Sequence, residues 1–419
     1  MDKQLENYVK LGIGYPLSQK CVPELSRKLV YRNLVKNYAY DQQSEGVRDW
    51  YADQILQRHP KQQRITAQFI ERFEANTANT RYWGNQEHVF HVAVRLHRRG
   101  ALQAQRIIDR FRSINDPAKA DHTGQTALLR LGRKGQLAYA KHMGAILRLH
   151  PDHTPSDILP YHRAGKLRKH ICQLLALPQY DHTDYRRYLA YLKDYREPDF
   201  GNRPPRFTTY ESYLDAIYQE RYVGRSTSFF ESLRPEALRD LRERIHATGV
   251  TQDTLVGLLA PFQVRPYPGN PLELLPLLTA ADRKIVGLIA DILAPHRADR
   301  IRTTALLHLH AGSYPREMMQ MIGVNLQAGD DEMLVSVMQQ AGDQHTLHGY
   351  GYAILANCDH VPPQRLMQSL EFLYYSSRCG ICREDIVRHL IAAGREKPEF
   401  YRQLRFDAYR STRKLARHP

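Results

Sequence analysis

The sequence predicts an all-α chain, an α-solenoid of stacked helical hairpins in two lobes, and three observations carry that prediction. Apolar residues recur at helical spacing along nearly the whole chain, no segment reads convincingly as a strand, and a helix–glycine–helix pattern repeats. Arg95 to Leu102 reads RLHRRGAL, and about 35 residues later Arg130 to Leu137 reads RLGRKGQL. His162 to Leu167 (HRAGKL) keeps the basic residue, the glycine and the following leucine. Self-similarity at such a period marks stacked units, because a single helix pair cannot bury its apolar face without a neighbour.

The elements follow from spacing and punctuation. Leu25, Leu29, Leu34 and Val35 mark an early helix, and Ile285, Leu288, Ile289, Ile292 and Leu293 a later one. Short breaks separate such segments at Gly12 to Pro16, His59 to Pro60, Asn115 to Pro117, His150 to Pro155 and Gly312 to Pro315, loops short enough for antiparallel neighbours. Residues 197–209, EPDFGNRPPRFTT, hold three prolines and no helical period, so they are expected to link an N-terminal lobe of 1–196 to a C-terminal lobe of 210–419. Pro261 to Pro276 is a second proline-rich stretch, expected as a large loop between repeats.

At 419 residues the chain is long enough for two ordinary domains or one extended solenoid. Its 42% of hydrophobic residues excludes wholesale disorder. Sixty Lys and Arg against 44 Asp and Glu leave +16 and a pI near 9.6, a field that attracts polyanions. A basic protein without such a partner has the same composition, since net charge governs association rather than fold. Five scattered cysteines are too few for a disulfide framework and suit a reducing cytoplasm. The opening MDKQLENYVKLGIGYPLSQK carries acidic residues and no apolar core of the secretory kind, and no run of about 18 apolar residues offers a membrane span, so no membrane partner is expected.

If Gly100, Gly135 and Gly165 are equivalent turns of a solenoid, their neighbours form a basic row: Arg98 and Arg99, Arg133 and Lys134, Arg163 and Lys166, with Lys169 nearby. From Arg95 to Arg112 Asp109 alone interrupts the arginines. Such a row can track phosphates by releasing their counterions. Alternatively, the turns are merely solvated, and cations near helix C-termini complement the dipole. Downstream, Tyr180, Tyr185, Tyr188, Tyr191 and Tyr195 alternate with Arg186, Arg187, Lys193 and Arg196. Aromatic faces beside arginines suit single-strand binding, but Tyr188, Tyr191 and Tyr195 at helical spacing also read as a core stripe. Arg402, Arg405, Arg410, Arg413, Lys414 and Arg417 form a further basic segment.

Few residues suggest chemistry. Cys379 and Cys382, with two residues between them at the start of a helix, could be a dithiol or half of a zinc site, with Cys358, His360, His345 and His348 as further ligands, or small packing residues. His88 and His91 with Glu87 lack the His-Glu-x-x-His order of a metalloprotease, and the phosphate-loop and nucleophile-elbow patterns are missing. No cofactor and no catalytic residue is expected.

The stretch from about Ala341, with the tyrosine-rich Glu371 to Ser376, CGICREDIVRHLIAAG and FDAYRSTRKLAR, resembles a set of bacterial HEAT-like repeat proteins of unassigned activity. That resemblance implies an α-solenoid without assigned activity; the absence of ankyrin and tetratricopeptide patterns leaves HEAT- or armadillo-like repeats as the expected class, and with the scattered cysteines a bacterial cytoplasmic protein is expected. The expected function is a non-enzymatic basic scaffold binding nucleic acid through Arg98, Arg99, Arg133, Lys134, Arg163, Lys166, Lys169, Arg186 and Arg187. A protein-binding scaffold is the alternative. HEAT-like alkylpurine DNA glycosylases, with acidic, aromatic and arginine residues in a basic cleft, are a third possibility, and Trp50 with Asp49 and Arg48, or Trp83 with Arg81, are the residues that reading points to.

Overall fold

Helix starts are written into the chain as caps. Ser26, Thr251, Asp282 and Asp343 each accept a backbone N–H from the first turn, and Thr209 and Ser212 form a reciprocal box. Pro235, Pro315 and Pro398 open helices where their missing N–H costs nothing. The structure, a computed structural model, describes residues 3–75, 83–114, 124–151, 165–194, 207–219, 226–279, 282–395 and 397–417, and among these all regular structure is helical, with no strand. The proline-rich linker expected over 197–209 lies mostly outside them.

The chain forms two compact units. The first comprises Met1–Pro198, Arg378–Glu384 and Glu396–Pro419; the second Asp199–Ser377 and Asp385–Arg395. The segments Arg378–Glu384 and Glu396–Pro419, expected in the C-terminal lobe, thus belong to the first unit.

In the first unit the α-helices are α1 (Lys3–Leu11), α2 (Tyr15–Ser18), α3 (Arg27–Val35), α4 (Gln42–Glu45), α5 (Asp49–Arg58), α6 (Gln62–Glu74), α7 (Trp83–Arg98), α8 (Ala104–Arg112), α9 (Gln125–Leu129), α10 (Arg133–Leu149), α11 (Gly165–Leu175) and α12 (Thr183–Asp194). An aromatic ladder runs through its core from helix to helix: Phe69 and Phe73 of α6, Phe90 of α7, Phe111 of α8, Tyr139 of α10 and Tyr188 of α12, with successive ring centroids 5.3 to 6.2 Å apart. Asp49 pairs with Arg95 and Asp53 with Arg99, so α5 and α7 run parallel with α6 between them in sequence. Between α10 and α12 the order reverses: Tyr139 meets Tyr188, while a Cβ on Gly144 would fall 1.8 Å from the Asp184 carbonyl oxygen.

The second unit holds α13 (Tyr210–Tyr218), α14 (Thr227–Ser232), α15 (Pro235–Ile245), α16 (Gln252–Leu259), α17 (Arg283–Leu293), α18 (Asp299–His310), α19 (Pro315–Ile322), α20 (Asp330–Gln339), α21 (Gln344–Asn357) and α22 (Met367–Ser376). The stretch Pro261 to Pro276, expected as a loop, instead coils into two 3₁₀ segments, Ala260–Gln263 and Pro271–Thr279. Prolines deny the i−4 donors of an α-helix but tolerate this tighter turn. Arg283 of α17 pairs with Glu317 of α19, and Asp291 with Gln320. Gly349 of α21 packs by Arg316 of α19, and Asn357 donates to the Met319 carbonyl. Partner numbers rise together in both cases, so α17, α19 and α21 run parallel, alternating in sequence with α18 and α20.

The remaining helices are α23 (Gly380–Ala392), α24 (Pro398–Leu404) and α25 (Arg410–Leu415). Arg383 and Asp407 are both fully buried and joined by two bonds, Nε to Oδ2 at 2.8 Å and Nη2 to Oδ1 at 3.2 Å. Arg48 donates to the carbonyls of Lys10, Leu11 and Arg378 and to Glu45. Ala408 N–H donates to the Gly12 carbonyl at 2.7 Å, and a Cβ on Gly14 would strike the Gln403 carbonyl at 1.9 Å. Only bare backbone fits there, so the 403–408 segment is clasped to the start of the chain.

Asp407→Ala should lower unfolding stability by about 3–5 kcal/mol in urea titrations, because it strands a buried guanidinium. An apolar pair, Arg383→Met with Asp407→Leu, should recover most of that loss, since neither charge then needs a partner. A loss within about 0.5 kcal/mol for the single change, the size of an ordinary surface substitution, would show that the pair does not anchor this segment.

Candidate anion-binding site

The expected basic row is built from unlike pieces. Gly100 (φ 76°) ends α7 in a left-handed turn, with Ala101 N–H reaching back to the Leu96 carbonyl, and Arg98 and Arg99 stand at that C-terminus. Gly135, expected as the second turn, lies buried inside α10; the turn is three residues earlier, at Gly132 (φ 70°). Gly135 is needed because a Cβ there would sit 2.0 Å from the Leu128 carbonyl oxygen, a packing demand that sequence comparison with Gly100 cannot separate from a turn. Arg133 and Lys134 therefore occupy the first turn of a helix, where the dipole disfavours cations. Gly165 is the first residue of α11 rather than a turn between helices.

Arg99 is tied to Asp53 at 2.7 Å, and Arg98 donates to the Arg130 carbonyl, joining the first copy to the second. Arg133 donates to Tyr180 Oη and lies over its ring. Lys134, Lys169 and Arg187 are exposed, and Arg186 is exposed beside Asp181 at 3.4 Å. Arg163 lies outside the described residues, and Lys166 is placed only as part of α11. Tyr188 is a core residue with its ring against Tyr139.

A different set of cations converges. A cavity of about 530 Å³ in the first unit is lined by Trp50, Arg405, Arg410, Arg413, Lys414, Ala416 and Arg417. Five of the seven are cations and none is an acid. The Arg413 guanidinium lies 4.1 Å from the Trp50 ring centroid, and its Nη1 donates to the Asp407 carbonyl at 2.6 Å and the Ala408 carbonyl at 2.9 Å. Burial pulls the Arg413 pKa down to about 10, so the group remains a cation at neutral pH but an incompletely solvated one. Arg405, Arg410, Lys414 and Arg417 are exposed, and among the described residues none has an acidic partner. Trp50 also packs against the core.

Asp49, next to Trp50, points instead to α7. Arg95 donates to it at 2.5 Å and Arg130 stands at 3.8 Å. Burial alone would raise this carboxyl, but the surrounding cations hold it below its usual range. Arg130 Nη1 donates to His91 Nδ1 at 2.8 Å; a guanidinium cannot accept, so His91 carries its proton on Nε2, which faces Glu87 at 3.0 Å and Thr126. Burial would raise Glu87 as well; hydrogen bonds from His91, Thr126 and the Gly124 N–H outweigh it and lower the pKa. His88 turns elsewhere, its Nε2 bonded to the Asn33 carbonyl. Arg81 and the Trp83 side chain lie outside the described residues.

Cys379 and Cys382 are buried, with sulfurs within 4.8 Å of each other and the Cys382 N–H donating to Cys379 Sγ. Cys358 is half-buried, and burial pushes its thiol up to about 12, so it is protonated at neutral pH. No helix among the described residues is long and apolar enough to cross a membrane. No protein-family model, curated protein or solved structure matches the chain.

The basic character of 402–417 was legible in the sequence, but its meeting with Trp50 was not, because nothing local relates the two ends of the chain. His88 and His142 supply a pH test of the first unit. Burial lowers each pKa to about 4 from 6.5, so the unfolded chain binds more protons between those values. Stability should be fully present above about pH 6.5 and fall toward pH 4 by about 1.4 kcal/mol per pH unit per histidine. Urea midpoints between pH 7 and 4.5 check this; His88→Asn should remove about one proton from the slope, and an unchanged slope would contradict it.

Proposed function

We propose that the chain is a non-enzymatic α-solenoid scaffold of HEAT-like hairpins that binds a polyanion, nucleic acid foremost. Three features support the solenoid. Alternate helices run parallel (α5 with α7; α17, α19 and α21). Side-chain bonds between helices join residues a repeat apart, 46 for Arg95 and Asp49, 34 for Arg283 and Glu317, 38 for Asn357 and Met319. The aromatic ladder passes through one helix after another, as in a core built by stacking.

The observation that carries the binding reading is the cavity of five cations over Trp50, with no acid in its lining. Held charges that lack partners are the groups a phosphate backbone satisfies, and counterions released from it drive the association. Exposed Arg98, Lys134, Lys169, Arg186 and Arg187 extend the positive surface of the same unit. Arg133 and Lys134 sit against the helix dipole, so dipole complementation does not account for them. Contacts of this type position phosphates and carry no base sequence.

Fluorescence anisotropy with a single-stranded oligonucleotide over a range of salt tests the reading. Five phosphate contacts on a single strand give a log K against log [salt] slope of about −3.5. Changing Arg410, Lys414 and Arg417 together to Gln should make it shallower by about 2. A flat plot, or no binding at low salt, would discard nucleic acid, and binding of polyglutamate in its place would move the assignment to an acidic protein.

A further inference from the structure

Arg413 differs from the other cations of the cavity in how it is held. A guanidinium presents two useful edges, and the side-on edge, Nε with Nη2, is the one that grips a two-oxygen anion. Three arginines of this protein grip a carboxylate with that edge: Arg383 uses Nε and Nη2 on Asp407, Arg242 on Glu273, and Arg302 on Asp330. Arg413 spends only Nη1, on the carbonyls of Asp407 and Ala408. Among the described residues its Nε and Nη2 have no protein partner. The fork is already oriented, with its carbon over the Trp50 ring and Nη1 fixed by two backbone acceptors, so little entropy remains to be lost when an anion binds.

The surroundings specify the anion further. A volume of about 530 Å³ is on the scale of a small-molecule site and leaves room for the end of a strand. An internal phosphodiester brings one negative charge and a chain leaving in two directions. A terminal phosphate monoester brings about −1.5 to −2 at neutral pH and leaves in one. Five cations with no acid among them match the second better than the first.

We propose that the cavity receives a phosphate monoester dianion at the end of a nucleic-acid strand, gripped side-on by Arg413 and neutralised by Arg405, Arg410, Lys414 and Arg417. This rests on the nucleic-acid reading above and names the part of the ligand that enters. Trp50 backs the fork from the core side and keeps water from that face.

The test compares one internally labelled single-stranded oligonucleotide in three forms, with a 5′ phosphate, with a 3′ phosphate, and with hydroxyls at both ends. One phosphorylated form should bind about ten-fold more tightly than the hydroxyl form, as a new bidentate charged contact gives. The preference should fade as pH drops below the second phosphate ionisation near about 6. Arg413→Lys keeps the charge and removes the fork, so it should abolish the preference, read as the ratio of phosphorylated to hydroxyl-ended affinity within the same variant. Because Arg413 also holds backbone, Lys414→Gln and Arg410→Gln serve as second variants, each reducing the preference without touching those carbonyls. Equal binding of all three forms overturns the end assignment and leaves the polyanion reading standing. Failure of all three to bind overturns that reading. Inorganic phosphate or AMP competing as well as the phosphorylated strand would overturn the assignment to a strand end and make the cavity a small-anion site.

Discussion

The fully buried ion pair of Arg383 and Asp407 is the constraint from which the cation-lined end of the first unit follows. Neither charge reaches water, so each is obliged to satisfy the other, and Asp407 commits both oxygens to that task while also accepting the Tyr409 N–H. The backbone at 407–408 is thereby held in one course, and its carbonyls become the acceptors that aim Arg413. Arg48 does the equivalent work from the other end of the chain, binding the carbonyls of Lys10, Leu11 and Arg378. A cavity of cations is costly to assemble by repulsion alone; here it is imposed by polar groups that have no other solution.

The net charge of +16 conceals two populations of arginine. One group is absorbed by the fold: Arg95 and Arg99 on Asp49 and Asp53, Arg148 on Asp184, Arg242 on Glu273, Arg302 on Asp330. These lock neighbouring helices and contribute little field outside. The other group is concentrated after Leu404, where the single acid of the 405–417 segment, Asp407, is hidden beneath Arg383. The surplus available to a ligand is set by which acids are already spoken for, and that is a matter of pairing rather than of composition.

The glycines illustrate how one letter answers different demands. Gly100 ends a helix at positive φ, and a turn was legible there from the basic residues before it and the leucine after. Gly135 carries the same neighbours but serves close approach inside a helix, against the Leu128 carbonyl. The resemblance of the two copies is real in sequence and shifted in structure, since a glycine beside a helix boundary records only that a side chain is not allowed.

By itself the sequence determined that the chain is helical, where many of its helices begin, and that its charge is basic, because caps, prolines and a 3.6-residue period act within a few neighbours. It also marked 402–417 as cationic. The tertiary structure alone decided which cations are spent and which are free, that Trp50 lies under Arg413, and that the segment after Glu396 joins the first unit. Those depend on buried charges finding partners tens of residues away, and on contacts such as Arg48 with the Arg378 carbonyl and Arg413 with Trp50 that span over three hundred, so they leave no trace in local spacing.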